Sequence, residues 1–242
     1  MRAIILAAGI GSRLRPMTSR IPKCLVKVNK KPIIHYQMEA LIEAGVEEIV
    51  VVTGYRQEQV MDYLRQHFPP NKTGTQLTLV HNKDFRTTNN LHSLWTAADW
   101  IRGDTFIING DVIFDAAIAK GMAGSKHSLV AVERQTYYEE SMKVRVNSAG
   151  EVCNISKTIP QGVAEGVSID IYYFNKLDAE ILRESVDVAI EIDEQSQIWT
   201  EQLFNELFAN AFIRPKMHDI GTSQWWEIDT KEDLLLANGL FK

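Results

Sequence analysis

The chain has 242 residues, 26 basic and 31 acidic, with a net charge of −5 when histidines are neutral. At 45% hydrophobic and 24% charged it reads as one large or two small globular domains, not as a disordered or fibrous chain. The acidic balance argues against a general nucleic-acid or anionic-membrane binder. Residues 1–38 nevertheless hold eight basic residues and no acid, which points to one local anion site.

The apolar run Ala3–Ala8 is too short for a signal-peptide core or a membrane span, so a cytoplasmic protein is expected. Cys24 and Cys153 are too few for a disulfide framework or a zinc site, and the six histidines show no metal-ligand spacing.

In chain order, Ala3–Ala8 reads as a buried strand. Ile33, Ile34, Met38, Leu41 and Ile42 share one helical face that ends at Gly45. Strand Glu48–Thr53, helix Gln57–Gln66, strand Leu77–His81, helix Asn90–Ile101 and strand Thr105–Asn109 follow. This alternation predicts a parallel sheet with helices on both faces. Beyond residue 128 the pattern turns β-rich: Ser128–Glu133, Lys143–Val146, Glu151–Ser156 and Ser168–Phe174. Helices Leu177–Glu184 and Trp199–Phe208 follow, then a strand near Ala211–Lys216. A last helix, Lys231–Asn238, is capped by Thr230 with Asp233 three residues on. No linker divides the chain. The expectation is a single α/β domain over 1–242, Rossmann-like and mostly parallel, with a nucleotide half near 1–127 and a β-rich lid half near 128–242.

In open α/β sheets ligands bind beyond the carboxyl ends of the strands. The loop after the first strand, Gly9-Ile10-Gly11-Ser12-Arg13, lets backbone approach a ligand and offers amide N–H groups to phosphate oxygens. It is neither a dinucleotide fingerprint, since Leu14 occupies the third glycine position, nor a P-loop. Arg13 and Lys23 add a forked donor and a point charge.

The string Gly9-x-Gly11-Ser12-Arg13-Leu14-x-Pro16-x-Thr18-x-x-x-Pro22-Lys23-x-Leu25-x-x-Val28-x-x-Lys31-Pro32 resembles the signature of nucleotidyltransferases that activate sugar phosphates and similar phospho-compounds. That resemblance implies the nucleotide-diphospho-sugar transferase type of fold. It implies a triphosphate wrapped by the glycine loop, with Leu6, Ala8, Gly9, Gly11 and Ser12 against the nucleotide. Arg13 and Lys23 would act as the catalytic cations.

Gly110-Asp111, after the fourth strand, suits a hard cation with oxygen ligands; a helix cap before Ala116 is the competing reading. The resemblance implies a Mg²⁺ held by Asp111 and by a late aspartate, matched here by Asp229. An acid favouring the helix N-terminus is the alternative for Asp229. Base recognition is expected from Gly54 and Tyr55 and from Asn89, Asn90 and Ser93, although either asparagine would also serve as a helix cap. The stretch Thr88–Trp95 resembles the subgroup that transfers CMP to phosphocholine, 2-aminoethylphosphonate or phosphorylated amino-acid-like acceptors.

For the acceptor, Lys157 and Lys143 compete as the second phosphate's cation. Ser156 stands where the family usually has a glutamate. Glu165, Asp170, Tyr172, Trp226 and Glu227 would meet a cationic headgroup, with Asp170 interrupting an apolar strand. The expected reaction is transfer of CMP from CTP to a small phospho- or phosphono-acceptor, with no nucleic-acid or membrane partner and a homodimer left open. The rivals are a sugar-1-phosphate nucleotidylyltransferase using UTP or dTTP, and a non-catalytic nucleotide sensor.

Overall fold

The computed structural model describes residues 1–135, 137 and 140–241. The first strand is β1 (Arg2–Ala7), followed by three short 3₁₀ turns and the ribbon β2 (Lys27–Val28) and β3 (Lys31–Pro32). Next come α1 (Ile33–Glu43), β4 (Glu48–Thr53), α2 (Gln57–His67), α3 (Pro70–Thr73), β5 (Gln76–His81) and α4 (Asn90–Thr96). The chain continues through β6 (Thr105–Asn109), β7 (Val112–Phe114), α5 (Ala116–Met122) and β8 (Leu129–Glu133). β9 (Lys143–Val146), β10 (Val152–Ser156), β11 (Gly166–Phe174) and α6 (Lys176–Asp187) follow. Last are α7 (Thr200–Ala209), β12 (Lys216–Asp219), β13 (Trp225–Glu227) and α8 (Lys231–Leu240).

Strands β6, β1, β4 and β5 are adjacent and parallel. The chain runs outward from β1 to β5 and then returns to β6 on the other side of β1. The topological switch point therefore lies between the carboxyl ends of β1 and β6, where such sheets bind ligands. The β-rich half is present as expected and continues the same sheet through one antiparallel contact, β11 against β6. β11 also pairs with β8 along one edge and with β9 at its start.

Both faces of β1, β4 and β6 are buried, so these strands are apolar runs through their middles, whereas the edge strand β5 is only partly buried. Along β1, Ala3, Ile5 and Ala7 face a core with α1, α2 and α5, while Ile4 and Leu6 face one with α4, α6 and α7. A third cluster, Leu14, Val26, Val28, Ile33, Ile113, Ile228 and Ala237, lies under the signature loop. The loop's apolar positions are thus a small core that fastens it to β7 and α8.

Two expected elements differ. The helix read over Asn90–Ile101 stops at Thr96, whose hydroxyl donates back to the His92 carbonyl at 2.7 Å, and Ala97 leaves helical backbone. The strand read near Ala211–Lys216 begins only at Lys216. Before it, Phe212 N–H and Ile213 N–H close the end of α7 on the Leu207 carbonyl, and Ala211 adopts positive φ. The three-residue strands β7 and β13 were not anticipated.

Candidate active site

The loop after β1 is shaped by close approach. Gly11 has φ +67°, and a Cβ there would sit 2.9 Å from Lys23 Cβ. Thr18 Oγ1 donates to the Gly11 carbonyl at 2.6 Å, closing the loop on itself. Gly110 plays the matching part across the switch point: its N–H donates to the Leu6 carbonyl at 3.0 Å, and a Cβ would lie 2.6 Å from that oxygen. A side chain at Gly110 would force the ends of β1 and β6 apart, and one at Gly11 would displace Lys23.

Lys23 Nζ lies between two carboxylates, donating to Asp111 Oδ2 at 2.7 Å and to Asp229 Oδ1 at 2.5 Å. Arg13 Nη1 donates to the other oxygen of Asp229 at 2.6 Å. Burial alone would lower the pKa of the Lys23 ammonium, but Asp111 and Asp229 outweigh it and hold it above the ordinary range. Burial likewise opposes ionisation of Asp229, yet Lys23 and Arg13 bring its pKa below the usual carboxylate value. Glu227 has less help. Burial first, then the charges of Asp111 and Asp229, push it up to about 8.

Asp111 is far in sequence from Glu227 and Asp229 and is joined to them by β13, which pairs antiparallel with β7 so that Glu227 faces Val112. Ile228 N–H then donates to the Asp111 carbonyl at 3.0 Å. Asp111, Glu227 and Asp229 offer oxygens all within 4.8 Å of one another. Asp111 Oδ1 is buried without a hydrogen-bond donor. Hard oxygen donors around such an atom fit a divalent cation. The helix caps themselves are other residues. Thr230 caps α8 with Asp233, leaving the Asp229 carboxylate to Lys23 and Arg13, while Asp115 occupies the N-cap position of α5.

A cavity of about 380 Å³ opens at the switch point. The structure brings to it, from the first half, Leu6, Ala8, Gly9, Gly11, Ser12, Arg13, Lys23, Asn89, Asn90, Ser93, Gly110 and Asp111. From the second half come Lys157, Asp170, Glu227 and Asp229. A second space of about 430 Å³ shares Arg13, Lys157, Glu227 and Asp229 as a wall and is closed by Trp225, Trp226, Thr230 and Asp233.

Other expected site residues lie elsewhere. Gly54 and Tyr55 buttress the first loop: Tyr55 N–H donates to the Ala8 carbonyl, and its hydroxyl donates to Ser19 at 3.0 Å. Lys143 is buried and donates to the Lys157 carbonyl at 2.7 Å. Glu165 pairs with Arg134 at 3.0 Å. Tyr172 is in the core against Phe204, with its hydroxyl donating to Asp170 Oδ1 at 3.2 Å.

Asn89 does cap α4, accepting from Asn90 N–H. Asn90 accepts from Thr200 N–H at 3.0 Å and donates to the Thr200 hydroxyl, so α4 is fastened to the start of α7 at the cavity wall.

Asp170 sits where β11 exchanges one neighbour, β9, for another, β6; the strand breaks register there and Asp170 has φ +58°. Its carboxyl pKa is pushed well above the usual range by burial and by the charges of Glu201, Glu227 and Asp111. Glu201 and Asn109 are cavity residues that sequence reasoning missed; Asn109 Nδ2 donates to Glu201 Oε1 at 3.0 Å. A polar residue closing the apolar strand β6 was a usable sign for Asn109. Glu201 reads like any acid in a first helical turn.

The family model described as nucleotidyl transferase matches residues 2–231. The choline-phosphate cytidylyltransferase of Streptococcus pneumoniae is 33% identical, over 82% of this chain and 92% of its own. The 2-aminoethylphosphonate cytidylyltransferase of Lancefieldella rimae is 30% identical, over 96% of this chain and 89% of its own. The solved CTP:phosphocholine cytidylyltransferase of Streptococcus pneumoniae superposes with a TM-score of 0.79 at 25% identity, covering 100% of this chain and 99% of that one. Enzymes acting on sugar phosphates are among the relatives as well. No helix among the described residues is long and apolar enough to cross a membrane. A signature loop, two cations and an acidic cluster at one switch point thus coincide with a match over nearly the whole chain: this protein is an enzyme of the nucleotidyl transferase family.

Proposed function

We propose that the protein is a cytidylyltransferase that moves CMP from CTP to a phosphate or phosphonate oxygen of a small, amine-bearing acceptor. The observation that carries the reading is Lys23 held between Asp111 and Asp229, with Arg13 on the same acid, beneath the signature loop. Kinship to two CMP-transferring relatives supports the nucleotide.

The acceptor oxygen attacks the α-phosphorus; the bond from that phosphorus to the bridging oxygen breaks, and pyrophosphate leaves with its electron pair. The attacking oxygen is already anionic at neutral pH, so no general base is needed. Catalysis is then positioning and charge neutralisation. Arg13 and Lys23 hold the departing phosphates, and the backbone of Gly9–Ser12 lines their path. Asp111 and Asp229, with Glu227 beside them, would hold Mg²⁺, which when bound neutralises charge on the phosphates.

Lys157 lies on the wall shared by the two spaces and is placed to meet the acceptor phosphate. Trp225, Trp226, Glu227 and Asp233 beyond it suit a cationic headgroup. With CTP as substrate, the reading places the enzyme in the cytoplasm.

The test is pyrophosphate release from CTP, UTP, dTTP and ATP against phosphocholine, 2-aminoethylphosphonate and glucose 1-phosphate. CTP with one of the amine-bearing acceptors is the expected pair. Preference for UTP or dTTP with the hexose phosphate would overturn the reading in favour of a sugar-phosphate enzyme, as some relatives are.

A further inference from the structure

We infer that Gln37, a residue of α1 that lines neither cavity, is the positioning residue for Asp111. This rests on the reading of Asp111 as a metal ligand.

The buried stripe of α1 is apolar at Ile33, Ile34, Met38, Ala40 and Leu41, and Gln37 interrupts it while fully buried. A primary amide in such surroundings is costly unless its groups are bonded. Gln37 Nε2 donates to the Asn109 carbonyl at 2.7 Å and to the Val112 carbonyl at 2.8 Å. Those two carbonyls bracket Gly110-Asp111. Because both acceptors are carbonyls, the amide can face them only with its nitrogen. Its own oxygen, Oε1, is consequently left buried with no donor. A buried acceptor left unmet in this way calls for a reason, and the two bonds to the turn supply it.

The same turn is held at its other peptide groups by separate elements. Gly110 N–H goes to the Leu6 carbonyl of β1, and the Asp111 carbonyl accepts from Ile228, just after β13. Gln37 is the contribution of α1. It clamps the step by which the chain leaves the main sheet at β6 and enters β7. That step sets Asp111 directly, and through the β7–β13 pair it sets Glu227 and Asp229. Releasing the clamp lets the three carboxylates drift relative to one another, which a small cation with strict geometry tolerates poorly.

The test uses the full chain and Mn²⁺ as probe, with free ion measured by electron paramagnetic resonance alongside a thermal melt. Gln37→Met keeps the volume and removes both donors. It is expected to weaken Mn²⁺ binding about tenfold, the lower end for residues that orient ligands. Asp111→Asn in the same assay marks binding at this site. Gln37→Glu, which sets a carboxylate against two carbonyl oxygens, is the second variant should Gln37→Met not fold, and is expected to bind more weakly still.

Wild-type Mn²⁺ affinity in these variants, at whatever melting temperature, would overturn the inference, because a purely structural residue changes the melt alone. Wild-type protein showing no Mn²⁺ binding that Asp111→Asn removes would overturn it too. Wild-type protein that binds Mn²⁺ but releases no pyrophosphate from CTP would sink the proposed function and leave this inference standing.

Discussion

The two walls of the cleft are built on opposite plans. The wall from residues 1–127 is made of parallel strand ends, glycines and two cations on one long loop. The wall from residues 128–242 comes from β11 among antiparallel neighbours, the start of α7 and β13, and carries most of the carboxylates, with Lys157 among them. Parallel strands end together, so their backbone N–H groups and loops converge on one point and suit an anion of fixed shape. Antiparallel strands present alternate side chains instead, so under the proposed function specificity there would rest on individual residues such as Asp170. Under the proposed function the first wall would serve the nucleotide, while the second would supply Asp229 to the same chemistry and the rest of its side chains to the acceptor.

Substitutions can break that division in decreasing order of effect. Lys23→Ala removes the cation between Asp111 and Asp229, and turnover, read as pyrophosphate release, should fall about 10³-fold while circular dichroism stays native. Asp111→Asn should abolish Mn²⁺ binding and cost about 10²-fold in turnover at saturating nucleotide.

On the other wall, Asp170→Asn should raise the acceptor KM about fivefold and leave the KM for CTP unchanged, the size expected for loss of one neutral hydrogen bond from a carboxyl that keeps its proton. The same variant carries a pH signature. Because burial and neighbouring acids hold the Asp170 pKa well above the ordinary carboxylate value, the folded chain keeps a proton there that the unfolded chain has lost. Stability must therefore fall as pH rises from about 4 towards the raised pKa, and Asp170→Asn should flatten that part of a melting-temperature profile.

The smallest effect is expected of Glu165→Gln. Its pair with Arg134 is half exposed and lies off the cleft, so stability should change by less than about 0.5 kcal/mol and turnover not at all.

The contrast between the walls also explains what could be read in advance. The loop from Gly9 to Lys23 was readable because its residues act at fixed spacing along one stretch of chain. β1, β4 and β6 were readable because strands buried on both faces are apolar runs bounded by turns. Glu165 and Tyr172 share composition with a headgroup pocket, but their neighbours come from β8 and α7, and nothing local distinguishes a carboxylate facing a ligand from one facing Arg134. Tyr55 is a related case: an aromatic after a glycine suggests a base contact, and its hydroxyl also donates to the loop carrying Ser19, a contact no local pattern announces. β7 and β13 escaped because three residues are too few to show alternation. The meeting of Asp111 with Asp229 depends on them, so Asp229 was reached through resemblance and not through pattern.

The hand-off from β6 to β7 also orders the birth of the enzyme. On the ribosome the amino-terminal strands emerge first, and with them Lys23 and Asp111. Glu227 and Asp229 are made long afterwards, and they reach Asp111 only once β13 has paired with β7. A nascent chain therefore carries the cations of its signature loop long before it owns an acidic triad or the α8 residues that fasten that loop. The last strand laid down is the one that completes the triad.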